Sequence, residues 1–201
     1  MNEQEIEVKF YVQDLKKVEM RLLKLKARLI QPRVYEINYR YDLPDGSLRA
    51  KEHVLRLRRD TNAILTFKGQ SDLRDGIFSR TELETTIGDF ETAQRIFEAL
   101  GYVRILTYEK YRTIFEIDDC HIMLDELPYG DFVEIEGSEV AGIRKMALAL
   151  NLNFDFAVGA GYARIFENYN SKYGFPHRDL TFEVLHEKKP TPEELNIRAA
   201  D

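Results

Sequence analysis

With 201 residues, the chain is long enough for one domain with a sizeable core and too short for two comfortable ones. Its formal net charge of -6 and pI near 5.4 argue against holding nucleic acid by an overall positive field, which needs clustered Lys and Arg to neutralise phosphates; a local anion pocket stays open. The single cysteine, Cys120, excludes an intrachain disulfide and every multi-cysteine zinc pattern. No apolar run reaches bilayer length, and the acidic opening Met1-Asn2-Glu3-Gln4-Glu5 lacks the order of a secretory signal, so a cytoplasmic protein with no membrane partner is expected.

Residues 5–12 alternate charged and apolar, the period of a half-buried strand. A helix follows, with Leu15, Val18, Leu22, Leu25 and Leu29 recurring at three and four, Asp14 placed to cap it and Pro32 to end it. Four strands are expected at 34–42, 53–60, 63–69 and 78–87, with Asp45-Gly46 and Asp75-Gly76 as hairpin turns. A second amphipathic helix over 90–100 carries Ala93, Ile96, Phe97 and Leu100 on one face and stops at Gly101. Three more strands span 103–117, 121–127 and 132–136; the first is long enough to bend, and Pro128-Tyr129-Gly130-Asp131 turns between the last two. After Gly137 the spacing of Ile143, Met146, Ala147 and Leu150 predicts a helix, and another spans 161–173. The expectation is an α+β domain over residues 1–186, a meander of antiparallel strands, with a polar and weakly ordered tail at 187–201.

Side chains on a strand alternate between faces, so Glu5, Glu7 and Lys9 project together while Ile6, Val8 and Phe10 project the other way. One such strand is better explained as a salt-bridged edge. The parity recurs, however, in Arg56 and Arg58, Lys68, Arg80 with Glu82 and Glu84, Lys110 and Arg112, Asp125, and Glu134 with Glu136. Seven acids and seven bases therefore share one face. Either this face is the solvated side of an ordinary sheet, or the sheet curls into a barrel with a charged lumen and an apolar outer wall covered by the amphipathic helices, the arrangement favoured here. Arg and Lys supply charge-assisted donors for a polyphosphate, and interleaved carboxylates suit magnesium or manganese, hard ions that bridge carboxylates to phosphates.

The segments Glu5-Ile6-Glu7-Val8-Lys9, Leu55-Arg56-Leu57-Arg58, Thr66-Phe67-Lys68-Gly69, Arg80-Thr81-Glu82-Leu83-Glu84, Lys110-Tyr111-Arg112 and Glu134-Ile135-Glu136 resemble the CYTH superfamily of triphosphate tunnel metalloenzymes, whose signature is the opening ExExK. The resemblance runs over residues 5–136 and more loosely to about 173. It implies an eight-stranded antiparallel tunnel, a divalent metal (Mg2+ or Mn2+) and a substrate such as inorganic triphosphate, thiamine triphosphate or ATP. By position, Glu5, Glu7 and Glu136 resemble family metal ligands, with Asp125 and Glu134 able to join them. Lys9, Arg56, Arg58, Lys68, Arg80, Lys110 and Arg112 resemble the phosphate-binding set, with Glu82 and Glu84 as supporting acids. Tyr41 and Lys68 resemble a pair that assists water activation in thiamine triphosphatases, although Tyr41 equally fits a packed strand end before a turn.

The leading expectation is a metal-dependent triphosphatase that hydrolyses the terminal phosphate. A class IV adenylyl cyclase making cyclic AMP and pyrophosphate from ATP is the runner-up, and a non-catalytic polyphosphate or nucleotide-binding module is a third reading. The sequence leaves open whether two copies form a homodimer. His53, His121, His177 and His186 show no metal-ligand spacing, and Gly159-Ala160-Gly161, with no strand before it, is a poor phosphate loop.

Overall fold

The computed structural model describes residues 4–174, 179–186 and 189–201; His177 and residues 187–188 fall outside this range. The strands are β1 (Gln4–Val12), β2 (Arg28–Asp42), β3 (Val54–Arg59), β4 (Ala63–Lys68), β5 (Asp72–Arg74), β6 (Ile77–Ile87), β7 (Val103–Ile117), β8 (Cys120–Leu127) and β9 (Gly130–Gly137). The helices are α1 (Leu15–Lys24), α2 (Ser47–Ala50), α3 (Phe90–Ala99), α4 (Val140–Ala149) and α5 (Tyr162–Tyr173).

The sheet runs β1-β9-β8-β7-β2-β3-β4-β6 and closes where β6 pairs back onto β1, with Glu5 opposite Arg80. Every pairing is antiparallel, giving a closed eight-stranded barrel with β5 appended to β6. Closure removes the exposed edges that an open sheet would offer. Asp75 and Gly76 turn β5 into β6 with both residues left-handed (φ 50° and 78°), the two-residue geometry that suits strand twist. The Asp45-Gly46 turn leads instead into the short α2 before β3 begins.

The apolar outer wall is covered as its pattern requires. Val18 and Leu22 of α1 and Ile143, Met146, Ala147 and Leu150 at α4 pack on Val8, Phe10, Ile122, Val133 and Ile135. Phe90, Ala93 and Phe97 of α3 pack on Tyr39, Tyr41, Leu55 and Leu57. The fourth amphipathic helix lies across one end of the barrel. There Ile165, Phe166 and Tyr169 of α5 meet Leu106, Tyr108, Leu127 and Phe132, apolar and aromatic side chains from the ends of β7, β8 and β9.

Two expectations change. The first helix stops at Leu25, whose N–H bonds Arg21 O (2.9 Å), and Lys26 turns left-handed (φ 61°). Leu29 and Pro32 then fall in β2, Pro32 in a stretch where the β2–β7 register shifts, a place where a strand tolerates a missing N–H. The end of the chain is also more engaged than its polarity suggests. Leu195 and Ala200 are buried, Ala200 N–H donates to Tyr11 O (2.9 Å), and Asp201 Oδ1 accepts from Gln13 N–H (2.8 Å).

Candidate metal and polyphosphate tunnel

Closing the sheet turns the shared parity into a lumen. A cavity of about 1070 Å³ is lined by Glu5, Glu7, Lys9, Arg56, Arg58, Lys68, Arg80, Glu82, Glu84, Lys110, Arg112, Glu134 and Glu136, among others. Backbone register explains the grouping: Glu7 lies opposite Glu136, Lys9 opposite Glu134, Lys68 opposite Glu82, and Arg112 opposite Asp125. Neighbouring strands thus bring acid beside base, and two acids beside each other where β1 meets β9.

At that seam Glu5, Glu7 and Glu134 place one carboxylate oxygen each within 4.8 Å of one another. Glu7 Oε1 accepts from Lys9 (2.6 Å) and Arg80 (3.2 Å), whereas its Oε2 is buried without a hydrogen-bond partner. Burial, and then the charge of Glu134, push the Glu7 carboxyl up to about 8 despite Lys9. Burial alone would raise its neighbours too, but Lys9 and Arg112 hold Glu134 well below the usual carboxylate range, and Lys68 with Arg80 does the same for Glu5. Among the described residues Glu136 makes no ion pair; burial and the charges of Glu5 and Glu134 raise its pKa. This is a group of hard oxygen donors in which one Glu7 oxygen stays unpartnered, chemistry suited to a small divalent cation.

Asp125, expected as a possible metal ligand, sits in different surroundings. It is fully buried, takes a two-pronged contact from Arg112 (2.7 and 2.6 Å), a third from Lys110 (3.1 Å), and a fourth from the Tyr162 hydroxyl (2.8 Å). Its oxygens are occupied in holding cations in place.

The cations are likewise held. Lys68 bridges Glu5 (2.9 Å) and Glu82 (2.7 Å), and Arg80 bonds Glu5 (2.9 Å). Arg58 reaches Glu84 (3.1 Å) and Asp60 (3.5 Å). Arg56 donates to Thr66 (3.2 Å) and Tyr108 (3.3 Å), with Glu84 and Glu82 further off at 3.6 and 3.8 Å. Burial and Glu5 raise the Glu82 carboxyl to about 7.

Tyr41 is not brought to this group. On β2 the inward side chains are Glu36, Asn38 and Arg40, so Tyr41 points to the outer wall, where its ring meets Phe97 edge-on at 5.0 Å and its hydroxyl finds no partner. The packing alternative for this residue is the one the geometry supports. His121 lines the cavity with a largely exposed ring, 3.5 Å from Glu116.

The lumen also holds residues that the sequence reading passed over. Glu36 accepts from Asn38 (2.8 Å) and faces Lys110 (3.6 Å), and the surrounding cations overcome burial to hold its carboxyl at about 2. Arg40 is a further cation. The same alternation would have found all three β2 residues. Tyr162 lies between Asp125 and Glu134 and sets its ring face about 5.5 Å from the ammonium groups of Lys9 (5.5 Å) and Lys110 (5.4 Å). No strand periodicity could have pointed to it, because it enters from α5.

A closed antiparallel barrel whose lumen interleaves carboxylates and cations defines a tunnel protein with a charged interior. The CYTH domain family model matches residues 3–141, and the chain belongs to that family. A Methanocaldococcus jannaschii relative named "Putative adenylate cyclase" is 32% identical over 137 residues, spanning 67% of this chain and 77% of its own. Among solved structures, a Vibrio parahaemolyticus protein carrying the same description superposes with a TM-score of 0.73 at 21% identity, covering 83% of this chain and 99% of that one. A Hippeastrum protein described as a putative adenylyl cyclase with a dominant triphosphatase activity covers 96% of this chain and 100% of its own, with a TM-score of 0.57 at 18% identity. At these identities the two structures speak for the fold. Among the described residues, no helix is long and apolar enough to cross a membrane.

Proposed function

We propose that the protein is a divalent-metal-dependent triphosphatase that removes the terminal phosphate of an inorganic or organic triphosphate inside the tunnel. The observation that carries this reading is the seam of Glu5, Glu7 and Glu134 oxygens within 4.8 Å of one another, set beside Lys9, Lys68 and Arg80. Magnesium or manganese fits this all-oxygen donor set, in which Glu7 Oε2 has no partner, and Glu136, opposite Glu7, would be a further ligand group. When bound, such an ion would neutralise charge on the phosphoryl oxygens.

The residues of the chain divide the remaining work. Lys9, Arg56, Arg58, Lys68, Arg80, Lys110 and Arg112 bind the phosphoryl oxygens and absorb charge as the terminal P–O bond breaks. Asp125 and Tyr162 keep Arg112 and Lys110 aimed. Lys68 orients the attacking water, and Glu82, near neutrality and 2.7 Å from Lys68, accepts its proton as the oxygen bonds phosphorus. Tyr41, packed on the outer wall against Phe97, is left out of this step.

A cyclase shares these cations and acids, and the name of the archaeal relative favours it. In that reaction the ribose 3′-hydroxyl attacks the α-phosphorus and pyrophosphate leaves. A lumen lined by charges along its length better suits a ligand anionic along its length. The deciding experiment incubates the protein with inorganic triphosphate, thiamine triphosphate and ATP, each with magnesium and with manganese, and follows orthophosphate and cyclic AMP. Orthophosphate release supports the hydrolase. Cyclic AMP without orthophosphate replaces it by the cyclase, and thermal stabilisation by these ligands without turnover leaves a binding module.

A further inference from the structure

The barrel opens at two seams at the end that α5 covers. β1 pairs with β6 as far as Val8 but with β9 as far as Val12. β7 pairs with β2 from Val103 but with β8 only from Tyr111. Each mismatch would leave a bare strand edge, and later parts of the chain take both up. On β7, Leu180 N–H donates to Thr107 O (2.8 Å) and Leu180 O accepts from Glu109 N–H (3.0 Å). On β1, Lys9 O accepts from Val158 N–H (2.8 Å) and Tyr11 O from Ala200 N–H (2.9 Å). The Asp201 carboxylate accepts from the N–H groups of Gln13 (2.8 Å) and Asp14 (3.2 Å).

Residues 189–201 thereby join two cores. Ala200 is buried in the cluster beneath α1 and α4, and Asn153 N–H, just before the stretch that leads into α5, donates to its carbonyl (2.8 Å). Leu195 is buried in the other cluster, with Ile165, Phe166 and Tyr169 of α5. The first turn of that helix carries Tyr162, whose ring faces the ammonium groups of Lys9 (5.5 Å) and Lys110 (5.4 Å) and whose hydroxyl donates to Asp125 (2.8 Å). From the barrel, Tyr129 O–H donates to Tyr162 O (3.0 Å).

We infer that residues 189–201 are a positioning element for the lumen. Anchored on β1 through Ala200 and Asp201 and packed on α5 through Leu195, they set the depth at which Tyr162 enters, and with it the places of Lys9 and Lys110. A cation over a ring face is attracted to it, so a shift of the ring carries both ammonium groups along. The site then depends on residues well beyond position 141, where the family match ends. This holds for whatever ligand the tunnel takes and does not rest on the triphosphatase reading.

NMR of the lysine side chains in the intact protein tests this, because an aromatic ring shields protons over its face. The ε-methylene protons of Lys110 should resonate upfield, and Tyr162→Leu should abolish that shift. Lys9 also faces Phe78 (5.7 Å) and should lose only part of its shift. Leu195→Ala should speed amide exchange at Ala200 about tenfold and move the Lys110 resonance most of the way to its place in Tyr162→Leu. Asp201→Ala loosens the anchor on β1 without opening a core; it should move both readouts the same way by less, and it carries the test where Leu195→Ala does not fold. Faster exchange at Ala200 with Lys110 unmoved means that Tyr129 and the apolar face of α5 seat Tyr162 unaided, and overturns the inference. So does unchanged exchange at Ala200 in both variants, or an unshifted Lys110 resonance in the unmodified protein.

Discussion

Two carboxylate clusters share the lumen, and they differ in how fully they are neutralised. Asp125 receives two nitrogens of Arg112, the ammonium of Lys110 and the hydroxyl of Tyr162. Glu7, opposite Glu136 and two residues along β9 from Glu134 at the β1–β9 seam, keeps one oxygen without a partner and has a raised pKa. The first cluster is complete as folded and holds its cations still. The second sets three carboxylates close together and leaves one oxygen of Glu7 free to take a cation. Satisfied oxygens thus mark Asp125 as structural, whereas the partnerless oxygen of Glu7 leaves it open to a ligand.

The largest test of that contrast is Arg112→Ala. It takes the two-pronged partner from fully buried Asp125 and leaves it Lys110 and Tyr162, so urea unfolding should show a loss of about 3 kcal/mol and the melting point should fall by roughly 10 °C. A loss below about 1 kcal/mol would remove Asp125 from the structural class.

Glu7→Gln probes the other cluster. In the free protein Glu7 keeps its proton up to about pH 8, while the unfolded chain releases it near 4.5. Over that window the folded state binds the extra proton, so the Glu7 contribution to stability falls as pH rises and levels off above about 8. The Gln variant should lose this slope and be more stable than the parent at pH 8 in the absence of metal. It should also lose the stabilisation by magnesium or manganese, about 2.7 kcal/mol at a hundredfold excess over Kd. Melting curves with and without metal between pH 5 and 9 decide the matter, and a variant that keeps its metal response would take Glu7 out of the ligand set. Glu36 acts in the opposite sense: its contribution is present above about 4.5 and lost as pH falls towards 2.

Tyr162→Phe should have a smaller effect. It removes a donor shared by Asp125 and Glu134 while leaving the ring in place, for a loss of about 1.5 kcal/mol. No measurable loss would mean that α5 is held by its apolar face alone. The smallest effect is expected for Tyr41→Phe, whose hydroxyl is buried without a partner. Stability should stay within about 0.5 kcal/mol and turnover unchanged; a tenfold drop in rate would return Tyr41 to the chemistry.

Most of the barrel was legible because strand parity is a local property. Once Glu5, Glu7 and Lys9 are read as one face, closure of the sheet follows from the same pattern in later strands, and the β7 span, 103–117, is recovered as drawn. The β2 face was missed for a different reason. Glu36, Asn38 and Arg40 obey the same alternation, but an acid, an amide and a single cation make a weaker charge pattern than the other strands carry. The end of α1 was misplaced because Leu29 continues the helical spacing, although it lies on the exposed face of a strand. Tyr162 was beyond reach from sequence, since its place depends on how the chain carries α5 across the tunnel end.

The near-complete pairing inside the lumen changes how its selectivity should be pictured. A phosphate entering this tunnel meets few bare cations; Lys9, Lys68, Arg80 and Arg112 already hold carboxylates. Binding is then an exchange of partners, and its free energy is the difference between two sets of charge-assisted bonds. A single orthophosphate or sulfate replaces too few contacts to drive that exchange, whereas a connected chain replaces several for the loss of one molecule's freedom. The tunnel would act as a counter of linked charges, indifferent to abundant simple anions and responsive to those joined in a row.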